Sequence, residues 1–96
     1  MSGRSDAANR RIWVAVLRVS PPVRAKLSSK HGLEAEEVAA ALIGMDKLVA
    51  VWNDDAERGR RAIVEVLLGT RRILVVLYPT REDGEWNLGS AYPVRR

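Results

Sequence analysis

The stretch RAIVEVLLGTRRILVVLY, residues 61–78, limits the fold of this chain more than any other feature. Two apolar runs rich in β-branched residues predict two strands. The Gly-Thr step between the runs matches a two-residue hairpin turn with glycine first. This turn fixes the register of an antiparallel pair, because it places Val66 opposite Ile73.

Three further segments have strand-like patterns, so five strands are predicted in all. The second strand of the hairpin is the most continuously apolar, which places it inside the sheet. The predicted strands are residues 11–20, 47–52, 61–69, 71–78 and 86–94. One face of the hairpin carries polar and aromatic side chains among apolar ones, namely Arg61, Glu65, Arg72 and Tyr78. If side chains alternate strictly in the last strand, one side of it carries Trp86, Leu88, Ser90 and Tyr92.

A helix is predicted over residues 21–31, between the first and second strands. The Ser20 hydroxyl can cap free backbone N–H groups, and the two prolines that follow are tolerated in a first turn. Gly32 fits the left-handed conformation that ends many helices.

A second helix is predicted to begin after Glu34, in the cap position. Leu33 and Val38 have the spacing of a hydrophobic staple, and Glu37 stands where a capping box has its acid. Gly44 marks the end of the helix, whose apolar stripe is Val38, Ala41, Leu42 and Met45. A turn this short makes the two helices an αα-hairpin.

The element order β-α-α-β-β-β-β predicts an α+β fold, in which the helical hairpin packs on one face of an antiparallel sheet. The other face is left for a site, since antiparallel sheets can expose one face to solvent. Residues 1–10 are polar and aperiodic, which indicates a flexible tail. Residues 11–96 are predicted to form a single domain.

The chain has no Cys and one His, which excludes disulfides and leaves almost no ligands for a structural metal site. We therefore expect no metal and no other cofactor. The apolar stretch IWVAVL, residues 12–17, is too short for a signal sequence or a membrane span. These features predict a soluble cytoplasmic protein without a membrane partner.

Charge is distributed in three blocks along the chain. Residues 1–32 carry seven Lys or Arg against one Asp, residues 33–57 one Lys against seven acids, and residues 58–96 eight Arg against four acids. Two basic regions around an acidic one favour a polyanion such as nucleic acid as partner. The alternative is that the arginines only provide solubility.

Arginine and aromatic side chains are the groups left to carry chemistry, because the sequence has no phosphate-binding loop, nucleophile elbow or metal-ligand cluster. Arginine holds phosphate bidentately and aromatic rings stack on unpaired bases, so the mixture suits single-stranded RNA. The arginines are Arg58, Arg60, Arg61, Arg71, Arg72, Arg81, Arg95 and Arg96, and the rings are Trp52, Tyr78, Trp86 and Tyr92. For the two tryptophans we favour a place in the core, because large rings in strands usually pack inward.

The segment KHGLEAEEV, residues 30–38, resembles the KHG-then-acidic-helix stretch of the BrnT-type branch of RelE-like toxins, which belong to bacterial toxin–antitoxin pairs. The Glu57-Arg58 and Ser90-Ala91 pairs resemble that branch too. The resemblance covers about residues 18–94.

The resemblance implies a metal-independent endoribonuclease, in which the 2′-hydroxyl of RNA attacks the adjacent phosphate and leaves a cyclic phosphate and a 5′-hydroxyl. It also implies a cognate antitoxin as protein partner, and a homodimer is compatible with it. The residues assigned to catalysis are His31 as base or acid, Arg58 and Arg61 on the phosphate, and Tyr92 to orient a base or donate a proton. The residues assigned to RNA binding are Lys30, Arg60, Arg72, Arg81 and Tyr78.

Two other functions stay open. After Ser90-Ala91 the chain continues with Tyr92 and Pro93, where BrnT-type sequences usually have arginine. This difference favours a non-catalytic module of the same fold that holds RNA or a protein. A protein–protein adaptor that uses the acidic second helix is the third hypothesis. His31 also has a structural interpretation, which we favour, because the helix dipole stabilises a cation in the last turn.

Overall fold

The computed structural model describes residues 9–45 and 48–94. Two helices and a mixed six-stranded sheet make up its α+β fold, which confirms the predicted class. The elements are β1 (Asn9–Ile12), β2 (Val16–Arg18), α1 (Pro21–His31), α2 (Ala35–Leu42), β3 (Leu48–Asp55), β4 (Gly59–Leu68), β5 (Arg71–Pro79) and β6 (Glu85–Pro93). Most of the predicted tail, residues 1–8, lies outside the described residues, as do Arg95 and Arg96.

The N-terminal segment differs from the single strand predicted over residues 11–20. It forms two short strands at opposite edges of the sheet, whose order is β1-β3-β4-β5-β6-β2. Strand β1 pairs antiparallel with β3, and β2 pairs parallel with β6, so the predicted all-antiparallel sheet was wrong at this edge. Strand β1 also begins at Asn9, inside the predicted tail.

The break between β1 and β2 is invisible in the hydrophobic pattern. Ile12 and Val14 are buried while Trp13 is exposed, so the alternation continues through the break. The backbone instead reveals it, because the N–H groups of Ala15 and Val16 both donate to the carbonyl of Gly84. The chain thus crosses from one edge of the sheet to the other beside the β5–β6 loop.

The central hairpin has the predicted register. Val66 lies opposite Ile73, and Leu68 opposite Arg71 closes the two-residue turn. Gly69 has φ 63°, the left-handed conformation that favours glycine at this position. Strand β5 lies inside the sheet, between β4 and β6.

Strand β6 contains a bulge that the prediction of strict alternation missed. Leu77 lies opposite Leu88, whereas Val76 lies opposite Ser90, so Gly89 is an extra residue on this strand. A Cβ atom at Gly89 would collide with the Tyr78 ring. The bulge places Ser90 and Tyr92 on the face opposite to Trp86 and Leu88, which corrects the prediction that all four share one side.

The helix boundaries follow the local signals closely. Ser20 Oγ accepts from the N–H of Val23 at 3.4 Å, and α1 ends at His31 before Gly32, whose φ is 63°. At the start of α2, a Glu37 carboxylate oxygen accepts from the N–H of Glu34 at 3.4 Å. Helix α2 ends at Leu42, so Met45 lies beyond it and is exposed; its place in the apolar stripe was wrong.

Both helices pack on one face of the sheet and leave the other face open. The buried core joins the helix side chains Leu27, Leu33, Val38 and Leu42 to the strand side chains Ala50, Val64, Ile73, Val75 and Leu77. On the open face, Val49 and Val51 are 58% and 47% exposed. No helix among residues 9–45 and 48–94 is long and apolar enough to cross a membrane.

Candidate nucleic-acid interface

Two groups of polar and aromatic side chains lie on the open face or at its edge. The turn cluster, at the β3–β4 turn, consists of Asn53, Asp55, Arg58, Arg61 and Tyr78. The helix-end pocket, where α1 ends beside β6, is a cavity of about 460 Å³ lined by Lys30, His31, Tyr92 and Pro93.

The two groups are separated along the sheet. Tyr92 lies opposite Leu74, and Tyr78 is four residues further along β5, a distance of about 13 Å at the usual rise of a strand. The four residues assigned to catalysis therefore do not meet in one place. Tyr92 lies at one end of the open face, with His31 beside it at the end of α1, and Arg58 and Arg61 lie at the other end.

Asp55 is the centre of the turn cluster. Its Oδ2 accepts from the Tyr78 hydroxyl at 2.8 Å and from Nη1 of Arg61 at 3.3 Å. Its Oδ1 accepts from the N–H of Glu57 at 2.8 Å, the Asx-type turn that aspartate favours at the end of a strand. These interactions tie the turn to the neighbouring strand β5.

The hydrogen bonds of Asp55 also favour its ionised form. The N–H of Glu57, and next the Tyr78 hydroxyl, hold the pKa of the Asp55 carboxyl below its usual range, and the charge of Arg61 adds to this. The carboxylate is thus ionised near neutral pH and is a weak base. The turn cluster is suited to holding charges in place rather than to moving protons.

The arginines of the turn cluster are held to different degrees. Nε of Arg61 donates to Oδ1 of Asn53 at 2.7 Å, so this guanidinium is engaged on two sides. The guanidinium of Arg58 lies over the Tyr78 ring, 3.9 Å from the ring centre, in a cation–π contact. Tyr78 itself is buried at 8% exposure, so a base would stack on Arg58 before it reached the ring.

The helix-end pocket brings together three of the predicted residues. The His31 and Tyr92 ring centres are 6.2 Å apart with the rings tilted by 41°. Lys30 and His31 occupy the last turn of α1, where the helix dipole favours positive charge. Within residues 9–45 and 48–94, the polar side-chain atoms of Lys30, His31 and Tyr92 have no hydrogen-bond or ion-pair partner.

The other predicted RNA-binding residues lie apart from both groups. Arg72 is on the open face but pairs with Glu65 at 2.8 Å. The Arg60 guanidinium lies 4.7 Å from the Trp52 ring centre, on the face that the helices cover. Arg81 lines a cleft beside Trp13 and the β5–β6 loop.

The preference for a core position of the two strand tryptophans is confirmed. Trp86 is buried in the core and Trp52 packs partly buried against it, with ring centres 5.8 Å apart. Neither ring lies on the open face. The acidic helix α2 is also partly engaged, because Glu36 pairs with Arg24 of α1 at 2.6 Å.

Asn53 and Asp55 were not predicted as members of the turn cluster. An aspartate at the start of a polar turn is a recognisable signal, because its carboxylate can accept from the backbone N–H two residues later. The contact of Asp55 with Tyr78, 23 residues away, depends on the sheet register.

No protein-family model matches this chain, and neither a curated protein nor a solved structure matches it.

Proposed function

We propose that this protein binds single-stranded RNA on the open face of its sheet and cleaves it without a metal ion, as the toxin of a toxin–antitoxin pair. The observation that supports this best is the helix-end pocket, in which an imidazole, a phenol and an ammonium group share one cavity with their polar atoms unengaged. These are the three kinds of group that the cleavage requires.

In the proposed reaction, His31 removes the proton of the 2′-hydroxyl. The O2′–P bond forms while the P–O5′ bond breaks, and Tyr92 donates its proton to the departing O5′. Lys30 stabilises the negative charge on the phosphate oxygens. The products are a 2′,3′-cyclic phosphate and a 5′-hydroxyl, and solvent returns the proton from His31 to the Tyr92 phenolate.

The turn cluster has a binding role in this proposal. Arg58 is exposed and lies about 13 Å along the sheet from the pocket, at a typical strand rise. It would hold a phosphate of the same RNA strand while the reacting phosphate occupies the pocket. The role assigned to Arg58 and Arg61 therefore changes from catalysis to RNA binding.

The test is cleavage of a short labelled RNA by the purified protein in EDTA. We expect fragments with cyclic phosphate ends, and no cleavage of the same oligonucleotide with 2′-deoxy sugars, because the attacking hydroxyl is then missing. Lys30→Met should slow cleavage, whereas Lys26→Met, one turn earlier on the same helix and also exposed, should not. Cleavage of the deoxy substrate, or equal rates for both variants, would contradict the proposal.

The toxin role has its own test. Induced expression should arrest growth, and co-expression of a small antitoxin encoded beside this gene should restore it. The exposed apolar residues of the open face, such as Val49 and Val51, suit a protein partner that covers this face.

A non-catalytic RNA-binding module is the second candidate. The observation that favours it is the turn cluster, where hydrogen bonds hold Arg61 and a cation–π contact holds Arg58, but the carboxylate is a weak base. It predicts salt-sensitive RNA binding with intact RNA recovered after long incubation, and harmless expression.

A further inference from the structure

A cleft of about 470 Å³ opens between the β1–β2 segment and the β5–β6 loop, away from the open face. Its volume lies in the range of small-molecule sites. Its walls come from the N-terminal segment, from Trp52 in the middle of β3, from the end of β5, and from the loop that leads into β6. Neither the turn cluster nor the helix-end pocket contributes a residue to it.

The aromatic wall of the cleft is exposed but held in position. Trp13 is 49% exposed, an unusual degree for so large an apolar ring. Its ring packs on Gly84, where a Cβ atom would lie 2.5 Å from Cη2 of the indole, and its carbonyl accepts from Nε1 of Trp86 at 2.9 Å. A ring fixed in this way is a ready stacking surface for a planar ligand.

Trp52 also lines the cleft, and it holds a buried polar atom without a partner in the described part of the chain. Nε1 of Trp52 is buried and has no hydrogen-bond acceptor among the described residues. Buried donors of this kind are rare in native structures and call for an explanation.

Charged side chains of both signs line the cleft. Arg10 and Arg11 lie on one side and Arg81 on the other, which suits an anion such as phosphate. The loop carboxylates of Glu82 and Asp83 have no side-chain partner within residues 9–45 and 48–94, whereas Glu85 is paired with Arg18.

We propose that this cleft binds a guanine nucleotide. Trp13 stacks on the base, Arg81 and Arg10 hold the phosphate, and a loop carboxylate accepts from the adjacent N1–H and N2–H groups of guanine. Uracil offers a single N–H donor on that edge, so it binds more weakly. The nucleotide is either free or an unpaired guanosine within an RNA strand, and the second source rests on the proposed RNA binding.

Binding is measured by tryptophan fluorescence of the full chain, titrated with GMP, UMP and inorganic phosphate. GMP should quench the fluorescence saturably and bind at least tenfold more tightly than UMP. Arg81→Ala should weaken the binding of GMP about tenfold. The double variant Glu82→Gln with Asp83→Asn should lose the preference for GMP over UMP. Arg71→Ala, an exposed arginine elsewhere on the sheet, is the matched control and should bind as the parent does.

The two sources of the nucleotide are distinguished by a second titration, with a guanosine-containing and an all-uridine single-stranded RNA, both fully 2′-O-methylated so that no cleavage occurs. Binding of GMP identifies a free nucleotide site. Binding of the guanosine RNA alone, weakened by Arg81→Ala but not by Arg71→Ala, identifies a base pocket for RNA. Equal binding by parent, Arg81→Ala and the carboxylate variant with every probe would overturn the proposal. Because no probe is cleaved, failure of the proposed ribonuclease activity leaves this result unaffected.

Discussion

The turn cluster and the helix-end pocket both adjoin the open face of one sheet, yet their polar groups are engaged very differently. In the turn cluster, Asp55 and Asn53 bind Arg61, and Asp55 also binds Tyr78. In the helix-end pocket, the polar atoms of His31 and Tyr92 have no such partner within the described residues. Groups already satisfied by folding stabilise the structure, whereas unengaged groups are free to act on a ligand.

The largest expected effect is at His31. His31→Gln should lower the rate of RNA cleavage at saturating RNA by about 100-fold, because general acid–base catalysis by one residue contributes at least that much. The melting temperature of the variant should fall only slightly, because the imidazole loses its contact with the Tyr92 ring but has no hydrogen bond to lose within the described residues. Single-turnover kinetics and thermal melts measure the two quantities. A variant with a much lower melting temperature and a normal cleavage rate would mean that His31 stabilises the fold and does not act on RNA.

The next effect is on stability, at the bulge beneath the turn cluster. Gly89→Ala should lower the free energy of unfolding by about 2 kcal/mol, since the new methyl group collides with the Tyr78 ring and overpacking has a cost of this size. Ser90→Ala, at the next position of the strand, is the control and should change stability little. Urea unfolding of both variants gives the values. Equal stability of the two would mean that the Tyr78 ring is not held in place.

A smaller effect is expected on RNA affinity. Arg58→Ala combined with Arg61→Ala should raise the Kd for RNA about tenfold, and its salt dependence should be shallower because two phosphate contacts are lost. The cleavage rate at saturating RNA should be retained, since the helix-end pocket is intact. Fluorescence anisotropy at several salt concentrations, together with saturating kinetics, separates these quantities. A lower cleavage rate at saturating RNA would mean that the two arginines take part in catalysis, as first predicted.

The smallest effect concerns the hydrogen bond between Tyr78 and Asp55. Tyr78→Phe should lower the free energy of unfolding at neutral pH by about 1 kcal/mol, the usual net value of one hydrogen bond. Tyr92→Phe should have no such effect.

The contribution of this hydrogen bond to stability should depend on pH, and its direction follows from the lowered pKa of Asp55. The pKa of Asp55 is lower in the folded protein than in the unfolded chain, so its stabilisation is present above the unfolded pKa, about 4, and is lost as the pH falls through the folded value. The stability difference between parent and Tyr78→Phe should therefore narrow below that pH. Urea unfolding at pH 7 and pH 3 measures it, and a difference that widens in acid would contradict this sign.

The parts of the fold that were predicted well are those determined by local signals. Helix α1 begins after Ser20 and ends before Gly32, because the cap and the left-handed glycine act within one turn. The β4–β5 register follows from a two-residue turn. The division of the N-terminal segment was missed, because hydrophobic alternation does not reveal which strand each half pairs with.

The candidate site was predicted only in part, for a related reason. With strict alternation, Tyr92 would share a face with Trp86; the extra residue Gly89 moves it to the open face. The meeting of His31 and Tyr92 thus depends on a bulge whose one sequence signal is Gly89, since an isolated glycine inside a strand often marks a bulge. The resemblance to BrnT-type toxins led to the choice of His31, Arg58, Arg61 and Tyr92. That these residues are divided between two regions depends on the sheet register.

The N-terminal segment has a consequence for how the chain folds during synthesis. Strands β1 and β2 cover both edges of the sheet, and Arg18 meets its partner Glu85 across 67 residues of chain. Pairing over such a distance is slow, and until β6 has left the ribosome β2 has no strand to join. A chain shortened before Ser20 would leave β3 and β6 as bare edges, open to pairing with other chains and to aggregation.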